Sequence, residues 1–132
     1  MAEVVLDASA ILALLHSEPG AEQVAPLMEM ALVSVINEAE VISRLIARGR
    51  RPEEALTIVK TLPYELVDLD RDLGRRAGAW WGVTKPQGLS LGDRCCLALA
   101  EREGLPALTV DRSWSKMALG VEVRLIAGRG RQ

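Results

Sequence analysis

Four acidic residues stand where a strand gives way to a helix or where a helix begins. They are Asp7 in "VVLDASAILALL", Glu40 in "SVINEAEVISRL", Asp93 in "GLSLGDRCCLALA" and Asp111 in "ALTVDRSW". Two chemistries suit a carboxylate at such a position. The first is helix capping. Asp7 and Asp111 suit the N-cap itself. Asp93 follows Ser90, and Glu40 follows Asn37, at the spacing of a capping box. The second is a shared site. Like charges gathered in a partly buried place repel strongly and need protons or a cation to offset them. An all-oxygen ligand set suits Mg²⁺ or Mn²⁺, and helix N-termini lower the cost of gathering anions. For any one residue alone, capping is the better account. The set favours a cluster, because spacing builds in no basic partner. Arg94 and Arg112 adjoin acids in the chain, and adjacent side chains need not face the same way.

The elements that must position these acids can be read along the chain. Glu3 to Leu6 reads as a short buried strand and Ala8 to Leu15 as a helix. Ser17 and Pro19 mark a second helix start, with a kink or early break at Pro26. Leu32 to Ile36 reads as a second strand. Asn37 to Arg48 reads as a helix closed by Gly49, and a further helix starts near Pro52 and ends before Pro63. Tyr64 to Leu69 is a third strand, Arg71 to Trp81 a helix, and Gly82 to about Leu89 the clearest loop. Leu91 to Glu103 is an apolar helix stopped by Gly104. Pro106 to Val110 is a fourth strand, Arg112 to Met117 a short helix and Val121 to Ile126 a fifth strand. This alternation implies parallel strands in an open three-layer α/β domain with helices on both faces. Function in such sheets gathers at the carboxyl ends of strands, where the strand order switches.

The chain has 132 residues, one domain by length. We assign residues 1–127 to it, with 128–132 ("GRGRQ" begins here) as a frayed tail. A hydrophobic share of 49% and a mean hydropathy of +0.15 exclude disorder. No apolar run reaches the ~20 residues that span a bilayer, and the start lacks the basic region of a signal peptide. The expected location is the cytoplasm. A net charge of −2 and a pI near 5.5 give no global basic signature. Cys95 and Cys96 read as reduced core residues, and His16 as a helix-end residue. Core or interface burial suits Trp80, Trp81 and Trp114 better than base stacking.

Across nearly its whole length, the chain resembles the PIN-domain family, specifically the VapC-type toxins of bacterial and archaeal toxin–antitoxin systems. The resemblance rests on the four quoted motifs, in that order and at fitting separations. "GLSLGDRCCLALA" is the most specific. It implies a sheet of order 3-2-1-4-5, which makes strands one and four neighbours. It implies a metal-dependent endoribonuclease, with Asp7, Glu40, Asp93 and Asp111 holding Mg²⁺ or Mn²⁺. Products with a 3′-hydroxyl and a 5′-phosphate follow. Ser9 matches a small polar position beside the metal, and Thr109 a polar position that supports the site. A homodimer and inhibition by a cognate VapB-type antitoxin are also implied.

Glu38 and Glu40 lie about 200° apart on a helical wheel. Val41, Ile42, Leu45 and Ile46 form the apolar face. Glu38 falls near its middle and Glu40 opposite. Pattern alone favours Glu38 as the inward residue, whereas the motif "NEAEV" aligns Glu40 with the family acid. Glu40 is the assignment and Glu38 its reserve.

RNA contacts need cations. Arg44, Arg48, Arg50 and Arg51 cluster along and after one helix, and Arg71, Arg75 and Arg76 on another. Surface helices carry arginine in any case. Lys85 and Arg112 are the preferred candidates, by closeness to the acid motifs. Two rivals stand against the nuclease. A phosphoacceptor receiver-like domain would need an acid pair after strand one, an acceptor such as Asp68 or Asp70, and a lysine after the last strand, which is missing. A catalytically inactive PIN binding module would have lost one of the four acids, and none is lost.

Overall fold

Val4, Val5 and Leu6 are all inaccessible to solvent, as expected of a strand covered on both faces. They form β1 (Val4–Leu6), the centre of a five-stranded sheet in a computed structural model that describes residues 1–117 and 120–126. The other strands are β2 (Ala31–Ser34), β3 (Glu65–Val67), β4 (Ala107–Thr109) and β5 (Val123–Leu125). Their order is β3-β2-β1-β4-β5, and every pairing is parallel. Val5 pairs with Leu32 on one side of β1 and with Ala107 on the other. The order therefore switches between β1 and β4, and the carboxyl ends of these two strands face one crevice. The tail from 128 to 132 lies outside the described residues.

Helices α1 (Ala8–Leu15), α2 (Ala21–Val24), α3 (Val35–Ala47) and α4 (Pro52–Lys60) cover one face. They pack Ile11, Val24, Val41, Leu45 and Val59 against Val4, Leu6, Val33 and Leu108. Helices α5 (Arg71–Ala79), α6 (Trp81–Thr84) and α7 (Leu91–Glu103) follow the third strand. On the other face, Leu73 and Ala77 of α5, Leu97 and Leu99 of α7, and Trp114 pack with Val5, Leu32 and Ala107. Alternation along β1 thus feeds two separate cores, Val4 and Leu6 on one side and Val5 on the other. Both cysteines are buried free thiols, and His16 is the C-cap of α1. Among the described residues no helix is long and apolar enough to cross a membrane.

Two local expectations are corrected. The strand expected at Leu32 to Ile36 ends at Ser34, and Val35 and Ile36 already belong to α3. Ser34 ends the strand because its hydroxyl accepts the amide of Asn37 at 3.1 Å, making it the N-cap. Asn37 is therefore three residues inside the helix rather than its cap, and the expected capping box with Glu40 does not form. The stretch expected as a loop from Gly82 is largely helical. Thr84 bonds back to the carbonyl of Trp80 at 2.9 Å, and Lys85–Gln87 form a 3-10 turn with Pro86 near its start. Of the tryptophans expected at a core or an interface, Trp114 is fully buried and Trp81 is 53% exposed.

Candidate active site

Asp7 leaves the end of β1 with extended backbone and caps α1. Its Oδ1 accepts the amide of Ala10 at 2.9 Å and the hydroxyl of Ser9 at 2.7 Å. Its Oδ2 accepts the hydroxyl of Thr109 at 2.6 Å. Both hydroxyl protons are thus directed at one carboxylate that is only 3% exposed. Ser9 in turn accepts the amide of Val110 at 3.1 Å, and Thr109 that of Asp111 at 3.0 Å. These bonds stitch the carboxyl ends of β1 and β4 together. Burial pushes the Asp7 carboxyl up to about 6, against the three hydrogen bonds that favour its charged form.

Asp111 turns the chain after β4. Its Oδ1 accepts the amide and the hydroxyl of Ser113, at 2.9 and 2.8 Å. Asp93 sits in the first turn of α7. Its Oδ2 accepts the amide of Ser90 at 2.9 Å, while Ser90 Oγ accepts the Asp93 amide at 3.2 Å. Three of the four acids are therefore helix or turn caps, as the structural account expects. Glu40 is not. Its Oε1 accepts from the side chain of Asn37 at 3.0 Å.

Capping does not exhaust the arrangement. α3 packs against α7 across the carboxyl edge of the sheet. All four acids line one cleft of about 590 Å³, together with Ser9, Ile36, Ser43, Arg44 and Ser90. Three of them are pushed up in part by a neighbouring acid's charge. Burial raises Asp93, with Asp111 adding to the effect, and burial raises Glu40, with Asp93 adding to it. Asp93 also raises Asp7 further. Arg44 is the one basic residue lining the cleft among the described residues, and it acts only on Glu40 among the raised acids. Among the described residues, no three acid, cysteine or histidine side chains already close on one point as a finished coordination sphere. The donor set is nonetheless all oxygen, repulsive and short of positive charge. It fits a hard divalent cation.

The other candidates fall elsewhere. Glu38 accepts the hydroxyl of Tyr64 at 2.6 Å, beside the core of the α1–α4 layer. The helical wheel was right that Glu38 faces that core, but that core is not the cleft. Lys85 lies over the ring of Trp81, 5.0 Å from its centroid, and does not line the cleft. Arg112 follows Asp111 in the chain and does not line it either. Arg44 was named only within a cluster of candidate RNA contacts, behind Lys85 and Arg112, and Asn37 and Gly92 were not singled out for the site by sequence. Arg44's position one turn after Glu40 is a signal that a helical reading could have used. A receiver-like arrangement is excluded by the topology. Asp70 follows β3, an edge strand separated from β1 by β2. It caps α5 through the amide of Leu73 and pairs with Arg102.

Comparison with known proteins agrees with this fold. The chain superposes on a toxin–antitoxin complex from Klebsiella pneumoniae with a TM-score of 0.73 at 16% identity, covering 96% of this chain and 99% of the other. A DNA-bound VapBC from Salmonella typhimurium gives 0.73 at 19% identity, covering 96% and 100%. VapC20 of Mycobacterium tuberculosis, a sarcin–ricin loop cleaving toxin, gives 0.72 at 19% identity, covering 86% and 94%. No sequence among the curated proteins matches significantly. At these identities the likeness shows a shared fold. The model of the PIN domain matches residues 4–119, which span all four acids, and the chain belongs to the PIN-domain family.

Proposed function

We propose that this protein is a divalent-metal-dependent endoribonuclease toxin of the VapC type, held inactive by a cognate VapB-type antitoxin. The observation that carries this reading is the convergence of Asp7, Glu40, Asp93 and Asp111 on one cleft at the β1–β4 switch. Neighbours of the same fold that are toxin–antitoxin complexes support the partner.

The four carboxylates would hold one or two Mg²⁺ or Mn²⁺ ions, and these, when bound, supply positive charge that activates water and offsets charge on the phosphoryl oxygens. The chain's own residues do the rest. Ser9, Thr109 and the Ala10 amide fix both oxygens of Asp7, so that carboxylate is set before substrate arrives. The Ser90 amide holds one oxygen of Asp93. An acid of the cluster orients the attacking water and takes its proton. The water oxygen bonds to phosphorus in line, the bond to the 3′-oxygen breaks, and that oxygen takes a proton from solvent water and leaves as a hydroxyl. Arg44 faces the cleft and suits a substrate phosphate. Lys85 and Arg112 extend the cationic contacts beyond it.

The same reading makes residues 1–127 the catalytic domain and 128–132 a tail, with the protein acting as a homodimer in the cytoplasm. The test is cleavage of a mixed RNA pool by purified protein with Mg²⁺, with Mn²⁺ and with EDTA, beside Asp93→Ala. Cutting that needs metal and vanishes in the variant is expected. Metal-independent cutting, or an active variant, would sink the proposal.

A further inference from the structure

Asn37 is fully buried, and both ends of its amide are in use. Its oxygen accepts the hydroxyl of Ser34 at 2.8 Å. Its nitrogen donates to Oε1 of Glu40 and to the carbonyl of Gly92, both at 3.0 Å. A backbone carbonyl can only accept, so the nitrogen must face Gly92 and the amide cannot turn over. Asn37 therefore ties α3 to the first turn of α7 and donates one hydrogen bond to Glu40 at that junction.

A second observation lies on the same carboxylate. A Cβ built on Gly92 would run into the carboxylate of Glu40, both of whose oxygens and whose carbon are its nearest neighbours. Gly92 lies within α7 and is not among the glycines with positive φ, so its backbone conformation does not demand glycine. The space does. The α7 backbone, one residue before Asp93, forms a wall against which the Glu40 carboxylate rests.

We infer that Asn37 and Gly92 form a latch that holds the Glu40 carboxylate in the cleft next to Asp93, with Asn37 a positioning residue for divalent-cation binding. The inference rests on the acid quartet proposed above. An alternative is that Asn37 only satisfies a buried helix junction. It would then affect folding without acting on the cation through Glu40. Partners of this kind typically change metal affinity about 10- to 100-fold.

The test compares wild type, Asn37→Ala, Gly92→Ala, Glu40→Ala and the double variant Glu40→Ala with Gly92→Ala. Mn²⁺ affinity is read by calorimetry without RNA, and folding by thermal melting. Each single change at 37 and 92 is expected to weaken Mn²⁺ about 10-fold or more in a folded protein. Removing the Glu40 side chain makes room for the new methyl, so the double variant should bind Mn²⁺ as Glu40→Ala does. Wild-type affinity in Gly92→Ala, or losses that add in the double variant, would overturn the latch. If Asn37→Ala does not fold, Gly92→Ala carries the test, since its clash is with the end of a flexible side chain. A crystal structure of metal-free Gly92→Ala is the independent arm. Glu40 displaced from the cleft supports the latch, and Glu40 in place refutes it. If wild type binds no Mn²⁺, the quartet reading falls, and this arm alone decides the latch.

Discussion

The hydroxyl of Thr109 donates to Oδ2 of Asp7 at 2.6 Å, and its oxygen accepts the amide of Asp111 at 3.0 Å. One side chain at the end of β4 thus orients one acid and fixes the backbone of another. Thr109→Val keeps the shape and removes both bonds. It should cost about 1–3 kcal/mol of stability and lower RNA cleavage about 10-fold or more. Thr109→Ser, which keeps the hydroxyl, should restore most of both. Melting and cleavage assays on the pair decide this, and a fully active Thr109→Val would remove Thr109 from the site.

Asp7→Asn should move stability and activity in opposite directions. Burial holds the Asp7 carboxyl near 6 rather than 3.8, so its charge is a burden to the metal-free fold at neutral pH. A displacement of about 2 pH units is worth about 3 kcal/mol at most. Asparagine caps a helix as well as aspartate does. The metal-free variant should melt about 3–10 °C higher at pH 7.5 while losing cleavage at least about 100-fold. A variant that melts lower and still cuts would contradict both halves.

The same raised groups set a pH dependence for the metal-free protein. Asp7, Glu40 and Asp93 all favour their neutral forms in the fold. Their stabilising contribution is complete below about pH 4 and is lost as pH rises, through about 6 for Asp7. Melting temperature in EDTA should therefore fall between about pH 5 and pH 7.5. Asp70, held low by the Leu73 amide, acts in the opposite sense only in stronger acid. Mn²⁺ should flatten the decline by binding the charged acids. A melting curve set that rises with pH in EDTA would show that the cluster is not under this strain.

Glu38 and Glu40 separate cleanly by neutralisation. Glu40→Gln should abolish cleavage, because its carboxylate lines the cleft. Glu38→Gln keeps an acceptor for Tyr64 and should leave cleavage within about 2-fold, with at most ~1 kcal/mol lost. The reverse pattern would reinstate Glu38 as the fourth acid.

Arg44→Gln tests the substrate side. In an Asp93→Asn background, it should weaken single-stranded RNA binding and lower the slope of log K against log salt by about 0.7, the signature of one lost phosphate contact. An unchanged slope would confine Arg44 to its effect on Glu40.

The alternation of strands and helices, and the places of Asp7, Asp93 and Asp111 at strand ends and helix starts, were legible because strand ends and capping motifs are local signals. Hydrophobic runs and caps mark them directly. The sheet order, by contrast, followed from the resemblance to PIN domains alone. The boundary at Ser34 was not legible. "LVSVI" reads as one apolar strand, and only the hydroxyl bond to the Asn37 amide shows where the helix starts. The Glu38–Glu40 ambiguity has the same origin. A helical wheel finds the face turned toward a core, but α3 presents one flank to a core and another to α7. The second flank is a tertiary fact. Gly92 was invisible for a similar reason, since the volume it leaves empty belongs to a residue on another helix.

The three aspartates that cap carry a consequence for the history of such a chain. A capping aspartate can become asparagine without the helix losing its cap. At positions 7, 93 and 111, the loss of one ionisable oxygen would therefore not cost the chain its fold, and at 7 would relieve a buried charge, while removing charge from the cleft. Inactive descendants would be well-folded and soluble, and would keep the surfaces that bind other proteins. The mutational step from a working protein to a folded decoy is short, and nothing in the fold selects against it.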